Sequence, residues 1–446
     1  FESRPHHHMT ANAYVPAEGV RPFPAILVLP GHFYQASKAY EDNQRLCQLL
    51  ARNGFLTLVV DPICQGERYQ FLKPDGEPWQ IRSTTTHSIL DVGAMLVGHD
   101  VVFYQAWDNI RAIDYLLSRS DVDPKRIGTT GNSGGGTQTT FLMAIDDRIA
   151  AAAPSCYITS RERKFVNTGP QDGCQNLPNE GKFGIEIADY IIVRAPKPTL
   201  ILAATRDFFD IDATRKVFAE AYGVYGALDQ PRNVEFFEVD DEHGYSTPRR
   251  HAFLNWIRRQ MKHDSQPAIY PDAAVLPDYE LRVTRTGQVL AEWDHEVSVA
   301  ELTLDTVRSL ASSRSEFWKN NDKSTCLKKI RQLIGVAQTR LKPSVQQVGT
   351  IERKDCTIER LILHHKDDVP VPGLLLRPNK AQERFPATIY VDGSGKRNGL
   401  HRGGAIETLV NNGRLVLAID VRGFGETADD PSKNETKYQS DEYRNS

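Results

Sequence analysis

Short apolar segments of strand length recur through the first ~260 residues, each separated from the next by a stretch of helical character. Pro24–Leu29 (PAILVL), Phe55–Val60 (FLTLVV), Arg126–Thr130, Ala150–Pro154, Thr199–Ala203 and Val234–Val239 are such segments, with Met9–Val15 ahead of them. Between them, Gly98–Leu117 sets Val101, Ala106, Ile110, Ile113 and Leu117 at helical spacing, a helix runs on from Gly134, and His251–Met261 forms another. Strands that are apolar without alternation must be covered on both faces. The pattern therefore predicts an α/β fold built on a mostly parallel sheet layered with helices.

Composition narrows what such a fold does. The chain has 446 residues, and 54 Lys+Arg against 57 Asp+Glu leave a net charge of -3. That excludes a general electrostatic case for nucleic acid or an anionic membrane surface. No apolar run approaches the ~18 residues of a membrane span. Six cysteines without a CxxC pair argue against a disulfide scaffold, a metal ribbon or thioredoxin-type chemistry. One bridge between Cys156 and Cys174 is an alternative to the favoured reading of buried free thiols. The chain starts at Phe1 rather than Met, so an upstream portion is expected, a removed signal peptide being one form of it.

Three regions are expected: a catalytic α/β domain over 1–263, a connector with helices over 264–345, and a partial second domain over 346–446. In the connector, Tyr279–Val283 reads as strand-like, and helices are expected around Val299–Ser312 and Ser324–Ala337. The third region repeats the first. Phe23–Gly31 (FPAILVLPG) returns as Phe385–Gly393 (FPATIYVDG) at an offset of 362, and Gly54–Asp61 and Gly66-Glu67 return as Gly413–Asp420 and Gly425-Glu426 at 359. Two constant offsets differing by three residues describe one fold copied with a loop change. The copy covers only the first strands and has no nucleophile turn, so it is expected to be the start of a longer domain or an incomplete one. An isolated half-sheet exposes an edge, which favours the former.

Gly131-Asn132-Ser133-Gly134-Gly135 is a G-x-S-x-G sequence between a strand and a helix. A serine on that sharp turn points its hydroxyl outward, and the N–H of Gly134 at the helix N-terminus faces a developing oxyanion. Serine is a weak nucleophile without a base, and the base needs an orienting carboxylate. In this class the order is Ser, acid, His. Asp207 follows the strand Thr199–Ala203 and His243 follows Val234–Val239, both at carboxyl ends of parallel strands, where ligand sites form. Asp210 and Asp212 are rivals for the acid. A second oxyanion donor is expected from the loop after Pro24–Leu29, at the backbone of His32 or Phe33.

Other features carry less. His6-His7-His8 alternate faces on a strand and do not converge on one ion, so no metal and no cofactor are expected. Trp79, Trp107, Tyr157 and Trp293 offer stacking surfaces for a sugar, Trp107 reading rather as core. Arg161, Arg163 and Lys164 follow the Ala150–Pro154 strand; a solvated charge run is the favoured reading, and binding of a substrate carboxylate is the alternative. Asn434-Glu435-Thr436 fits a glycosylation sequon.

Gly31-His32 with Asp61-Pro62 and Gly66-Glu67, the Gly131–Gly136 turn with Thr137-Gln138-Thr139, and the Asp207 and His243-Gly244 blocks together resemble bacterial α/β-hydrolases of the acetylxylan-esterase-like group. Some of these carbohydrate esterases have two hydrolase domains in tandem. The resemblance spans most of 9–260 and, more thinly, 346–430. It implies an α/β-hydrolase fold with Ser133 as nucleophile, Asp207 as acid and His243 as base, with a polysaccharide ester as substrate. The second copy departs from it: Asp392-Gly393-Ser394-Gly395 stands at the oxyanion-loop position and no nucleophile turn follows. Deacetylation is the favoured reaction; demethylation of uronic esters of the pectin or glucuronoyl type is the alternative. A non-catalytic carbohydrate-binding homologue and a peptidase on the same fold are the lesser readings. The expected location is the periplasm or outside the cell, with the cytoplasm left open.

Overall fold

The computed structural model describes residues 1–446 except 33–35, 80–81, 169–170, 263–266, 271–273, 337–341, 366–368, 381–383 and 429–446. The described residues form two compact units, 1–312 and 313–428. The sequon at Asn434 lies outside them.

The first unit opens with a small hairpin, β1 (Glu2–Arg4) and β2 (His7–His8). There follow β3 (Ala11–Tyr14), β4 (Phe23–Leu29), α1 (Glu41–Arg52), β5 (Leu56–Val60), α2 (Ser83–Met95), α3 (Val101–Ser118), β6 (Val122–Asn132) and α4 (Gly134–Ile145). Then come β7 (Ile149–Ser155), α5 (Arg161–Thr168), α6 (Asp189–Ile192), β8 (Thr199–Ala204), α7 (Ile211–Ala227), β9 (Val234–Val239) and α8 (Thr247–Met261). Seven strands make one sheet in the order β3-β5-β4-β6-β7-β8-β9, antiparallel only at β3. Along β4, Leu27 and Leu29 enter one core with Ile113 and Leu116 of α3 and Leu142 of α4. Ile26 and Val28 enter the other with Leu46 and Leu50 of α1 and Phe253, Trp256 and Ile257 of α8. Alternate residues thus serve opposite faces, and both are covered.

Three expectations are corrected. The compact unit does not stop at residue 263. Beyond it, Leu276 O accepts from Gln44 Nε2, Val289 N, at the start of α9 (Val289–Glu292), donates to Glu67 O, and Val299 N, at the start of α10 (Val299–Asn320), donates to Gln70 Oε1. Tyr279–Val283 is not a strand: a short turn of helix covers Asp278–Glu280, and the N–H groups of Val283 and Thr284 donate to the Glu67 carboxylate instead of a neighbouring strand. Trp107 is not core. It stands on the outer side of α3, 43% exposed, with its indole N–H donated to Ser3 O.

The second unit carries α11 (Lys323–Leu333), β10 (Ser344–Glu352), β11 (Cys356–His364), β12 (Val371–Pro378), β13 (Ala387–Tyr390), α12 (Ala405–Asn411) and β14 (Leu415–Ile419). Its sheet runs β10-β11-β12-β14-β13. β12 lies antiparallel on β14, and β14 parallel to β13, as β3 lies on β5 and β5 beside β4. The repeat is therefore one of structure, and it extends to a buried ion cluster. Asp61 accepts from the backbone N of Lys38 and of Glu67 (3.1 and 3.3 Å), and Lys38 Nζ meets both carboxylates, at 2.5 Å from Glu67. In the second unit Asp420 accepts from the backbone of Lys396 and Glu426 (2.6 and 2.9 Å), and Lys396 Nζ lies 2.5 Å from both acids. Each acidic loop turns at a glycine of matching conformation, Gly66 at φ 57° and Gly425 at φ 58°. A Cβ at Gly66 would lie 2.1 Å from the Asp61 carboxylate, so the turn and the ion cluster require each other.

Among the described residues no helix is long and apolar enough to cross a membrane. All six cysteines are buried and free, Cys156 and Cys174 included.

Candidate active site

Ser133 occupies the single residue between β6 and α4, at φ 60° and ψ −124°, a backbone state that costs a non-glycine residue strain. Its N–H donates to Ser155 O and its carbonyl accepts from Thr137 N, both at 2.9 Å, so the surroundings hold it there. The turn can be this sharp because Gly131 and the glycines that follow Ser133 carry no Cβ. A Cβ on Gly135 would lie 1.9 Å from Leu29 O, and one on Gly131 2.3 Å from the same oxygen. The Ser133 side chain remains partly exposed, and Gly134 leads the twelve-residue helix α4.

Asp207 lies three residues past β8 and His243 four past β9. The two exits are tied by Thr205 N to Val239 O and Arg206 N to Asp241 O, both 3.0 Å. His243 Nδ1 lies 2.9 and 3.0 Å from the two Asp207 oxygens. A carboxylate accepts, so the proton sits on Nδ1 and Nε2 keeps its lone pair for use as a base. The Asp207 side chain is buried and also accepts from Phe209 N at 3.1 Å, while the ring of Phe208 lies 4.2 Å from that of His243. Sequence reasoning gave no role to Phe208, and only its position beside Asp207 hints at one. The rival acids are engaged elsewhere: Asp210 caps α7 through Ala213 N (2.8 Å), and Asp212 pairs with Arg215 (2.7 Å). The His243 ring is hydrogen-bonded to Asp207 and not to the Ser133 hydroxyl. Contacts of this kind tighten when substrate binds.

The remaining candidates divide. The His32 ring lies over Gly134, where an added Cβ would be 2.6 Å from its Cε1. Burial lowers the pKa of this imidazole below its ordinary value, favouring the neutral ring. Phe33 lies outside the described residues. Tyr157 is buried against Phe209 and under Lys164, and offers no face to a sugar. Arg161 is committed to Glu180 and to Ile185 O. Lys164 is buried rather than solvated, donates to Gln175 O, and is pushed down to about 8 by desolvation. Arg163 alone of this group stays half-exposed, 3.9 Å from Asp210. The three leading histidines have separate partners: His7 Nδ1 with Val297 O, His8 Nδ1 with Glu296, and the His6 ring against His295.

Residues 1–169 match the family model described as acetyl xylan esterase. This part of the chain is acetyl-xylan-esterase-like. Over 143 residues, 30% of the chain, it is 32% identical to YtaP, a Bacillus subtilis protein that carries the name of a hydrolase, and the match spans 47% of that protein's length. Among solved structures, Methylesterase BT1017 superposes with a TM-score of 0.55 at 21% identity, covering 71% of this chain and 65% of that one. The chain thus spans less than two thirds of either protein. The shared architecture is that of an α/β-hydrolase. The acetyl-xylan-esterase-like match includes β4, β6 and the Ser133 turn; Asp207 and His243 lie beyond it.

Proposed function

We propose that the first unit is a serine carboxylic-ester hydrolase acting on ester-decorated plant cell-wall polysaccharide, with deacetylation as its reaction. The observation that carries this reading is the His243–Asp207 pair at the exits of β9 and β8, two strands of the same sheet whose β6 ends in the strained Ser133 turn. The acetyl xylan esterase family match supports the acyl group. His243 Nε2 takes the Ser133 proton as Oγ attacks the acetyl carbonyl. The N–H of Gly134, with the α4 dipole behind it, stabilises the oxyanion. Collapse expels the sugar alkoxide, which takes the proton from His243, and leaves acetyl-Ser133. Water, deprotonated by the same imidazole, then releases acetate.

The test is the full chain and its Ser133→Ala variant on acetylated xylan and methylated pectin in parallel, scoring acetate and methanol. Acetate release by the parent and none above background by the variant is the expected result. Methanol in place of acetate transfers the mechanism to uronate methyl esters. Undiminished hydrolysis by the variant, or a parent that a fluorophosphonate does not label at Ser133, would overturn the serine mechanism.

A further inference from the structure

Four side chains from three separate segments converge beside the Ser133 turn: His32 from the loop after β4, His87 from α2, and Asp172 and Cys174 from the loop after α5. One ligand atom from each lies within 4.8 Å of all the others. His32 Nε2 is 3.2 Å from both Asp172 Oδ2 and Cys174 Sγ, and His87 Nδ1 is 3.8 Å from the same Asp172 oxygen. His87, Asp172 and Cys174 are buried, and 14% of the His32 side chain is exposed.

The protonation pattern is informative. His87 Nε2 lies 2.9 Å from Ile63 O. A carbonyl only accepts, so a proton is on Nε2, and Nδ1 is the ring nitrogen turned toward Asp172. Among the described residues, His87 Nδ1 and Asp172 Oδ2 have no hydrogen-bond partner. Two buried polar atoms, 3.8 Å apart, thus lack a hydrogen bond, at a cost on the order of 1–3 kcal/mol for each group left unsatisfied. One cation between them removes both costs. Ligands bound at ~2.0–2.3 Å around a tetrahedral zinc stand roughly 3.3–3.7 Å apart, close to the separations here. An imidazole whose second nitrogen is held by a backbone carbonyl is also the usual outer support of a metal-bound histidine. Two imidazoles, a thiolate and a carboxylate suit zinc better than magnesium or calcium.

We propose that His32, His87, Asp172 and Cys174 form a four-ligand site for a zinc-class divalent cation. Binding replaces the Cys174 thiol proton, which leaves to solvent, with a metal–sulfur bond. Four protein ligands leave no open position, so the ion is structural. It ties α2 and the 171–175 loop to the segment that lays the His32 ring over Gly134.

The test uses the full chain, stripped with a chelator and titrated with Zn2+ against a chromophoric competitor, then with Co2+. One equivalent of zinc per chain is expected, with affinity at least ~10-fold weaker in Cys174→Ser and in His87→Gln. Cys156→Ser, which alters the separate Cys156, Asp207 and His243 cluster, leaves the affinity as it was. The cobalt form of the parent shows a thiolate charge-transfer band that Cys174→Ser abolishes, with circular dichroism checking that the variant is folded. The parent titration needs no variant at all. A parent that takes up no zinc, or an affinity and cobalt band untouched by Cys174→Ser, overturns the site.

Discussion

The duplicated ion cluster allows one lysine substitution to be made in two environments. In the first unit the Lys38, Asp61 and Glu67 side chains are 3%, 0% and 4% exposed. Lys38→Met keeps the length of the chain but strands two buried carboxylates. Breaking a buried pair by removing one partner costs about 3–5 kcal/mol. Asp61 keeps the N–H groups of Lys38 and Glu67 and the Thr10 hydroxyl (2.7 Å), which points to the lower end, about 3 kcal/mol. In the second unit Lys396 and Asp420 are as buried, but the Glu426 side chain is 51% exposed. Lys396→Met strands one carboxylate, itself held by two backbone N–H groups, so about 1–2 kcal/mol is expected. Hydrogen exchange followed by mass spectrometry reads the two units separately, whether or not they unfold together. At 1.36 kcal/mol per tenfold, the β5 amides of Lys38→Met should exchange roughly 100-fold faster, and the β14 amides of Lys396→Met roughly 10-fold faster. Equal losses in the two units, or a larger loss in the second, would refute the argument that burial of the second acid sets the cost.

Other outcomes follow from single residues. Asp207→Asn should lower kcat on an activated acetyl ester by about 10⁴-fold, because the amide no longer holds the tautomer of His243. Asp210→Ala should cost about 1 kcal/mol of stability through the lost α7 cap and leave kcat alone; a matching fall in kcat there would move the acid role to Asp210. Asp100 caps α3 through Phe103 N, and burial raises its pKa to about 6 from an unfolded value of ~3.9. Its contribution to stability is complete below pH ~4 and is lost as pH rises through 6. Asp100→Asn keeps the cap, so melting temperatures should vary less between pH 4 and 6 and exceed the parent's at pH 7; an unchanged pH profile would be the contrary result. Gly135→Ala should give no soluble protein, whereas Gly223→Ala on α7, where an added Cβ meets nothing within 4 Å, should raise stability by about 0.5–1 kcal/mol in urea titration. A soluble, active Gly135→Ala would mean that the Ser133 turn is looser than described.

What the sequence made legible is what local constraint dictates. β4, β5 and β8 read as uninterrupted apolar runs because helices cover both faces of the sheet, and the Ser133 turn reads as glycines because only they fit against Leu29 O. Asp207 and His243 were accessible through topology, as loops at successive strand exits. The failures have a common cause. Tyr279–Val283 alternates like a strand, but Glu280 and Leu281 N–H close a local turn on Pro277 O and Asp278 O, and Val283 N–H goes to the Glu67 carboxylate more than 200 residues away. Trp107 looks like core, yet the bond to Ser3 O lets it face outward. α2 begins with Ser83-Thr84-Thr85-Thr86, poor helix formers, and His87 acquires its neighbours only from the folded chain.

The ion cluster shows where the boundary lies. Asp61, Gly66 and Glu67 recur at a constant offset of 359, so the repeat is visible in them. Lys38 recurs as Lys396 at 358, one residue out of step, because it sits in a loop whose length changed between the copies. A buried aspartate beside a backbone turn still requires a cation, since an unpaired charge there would destabilise the fold by several kcal/mol. Burial dictates that the partner exists, while loop length decides where in the chain it is found. That is why the acids of the cluster could be matched by alignment and its lysine only by geometry.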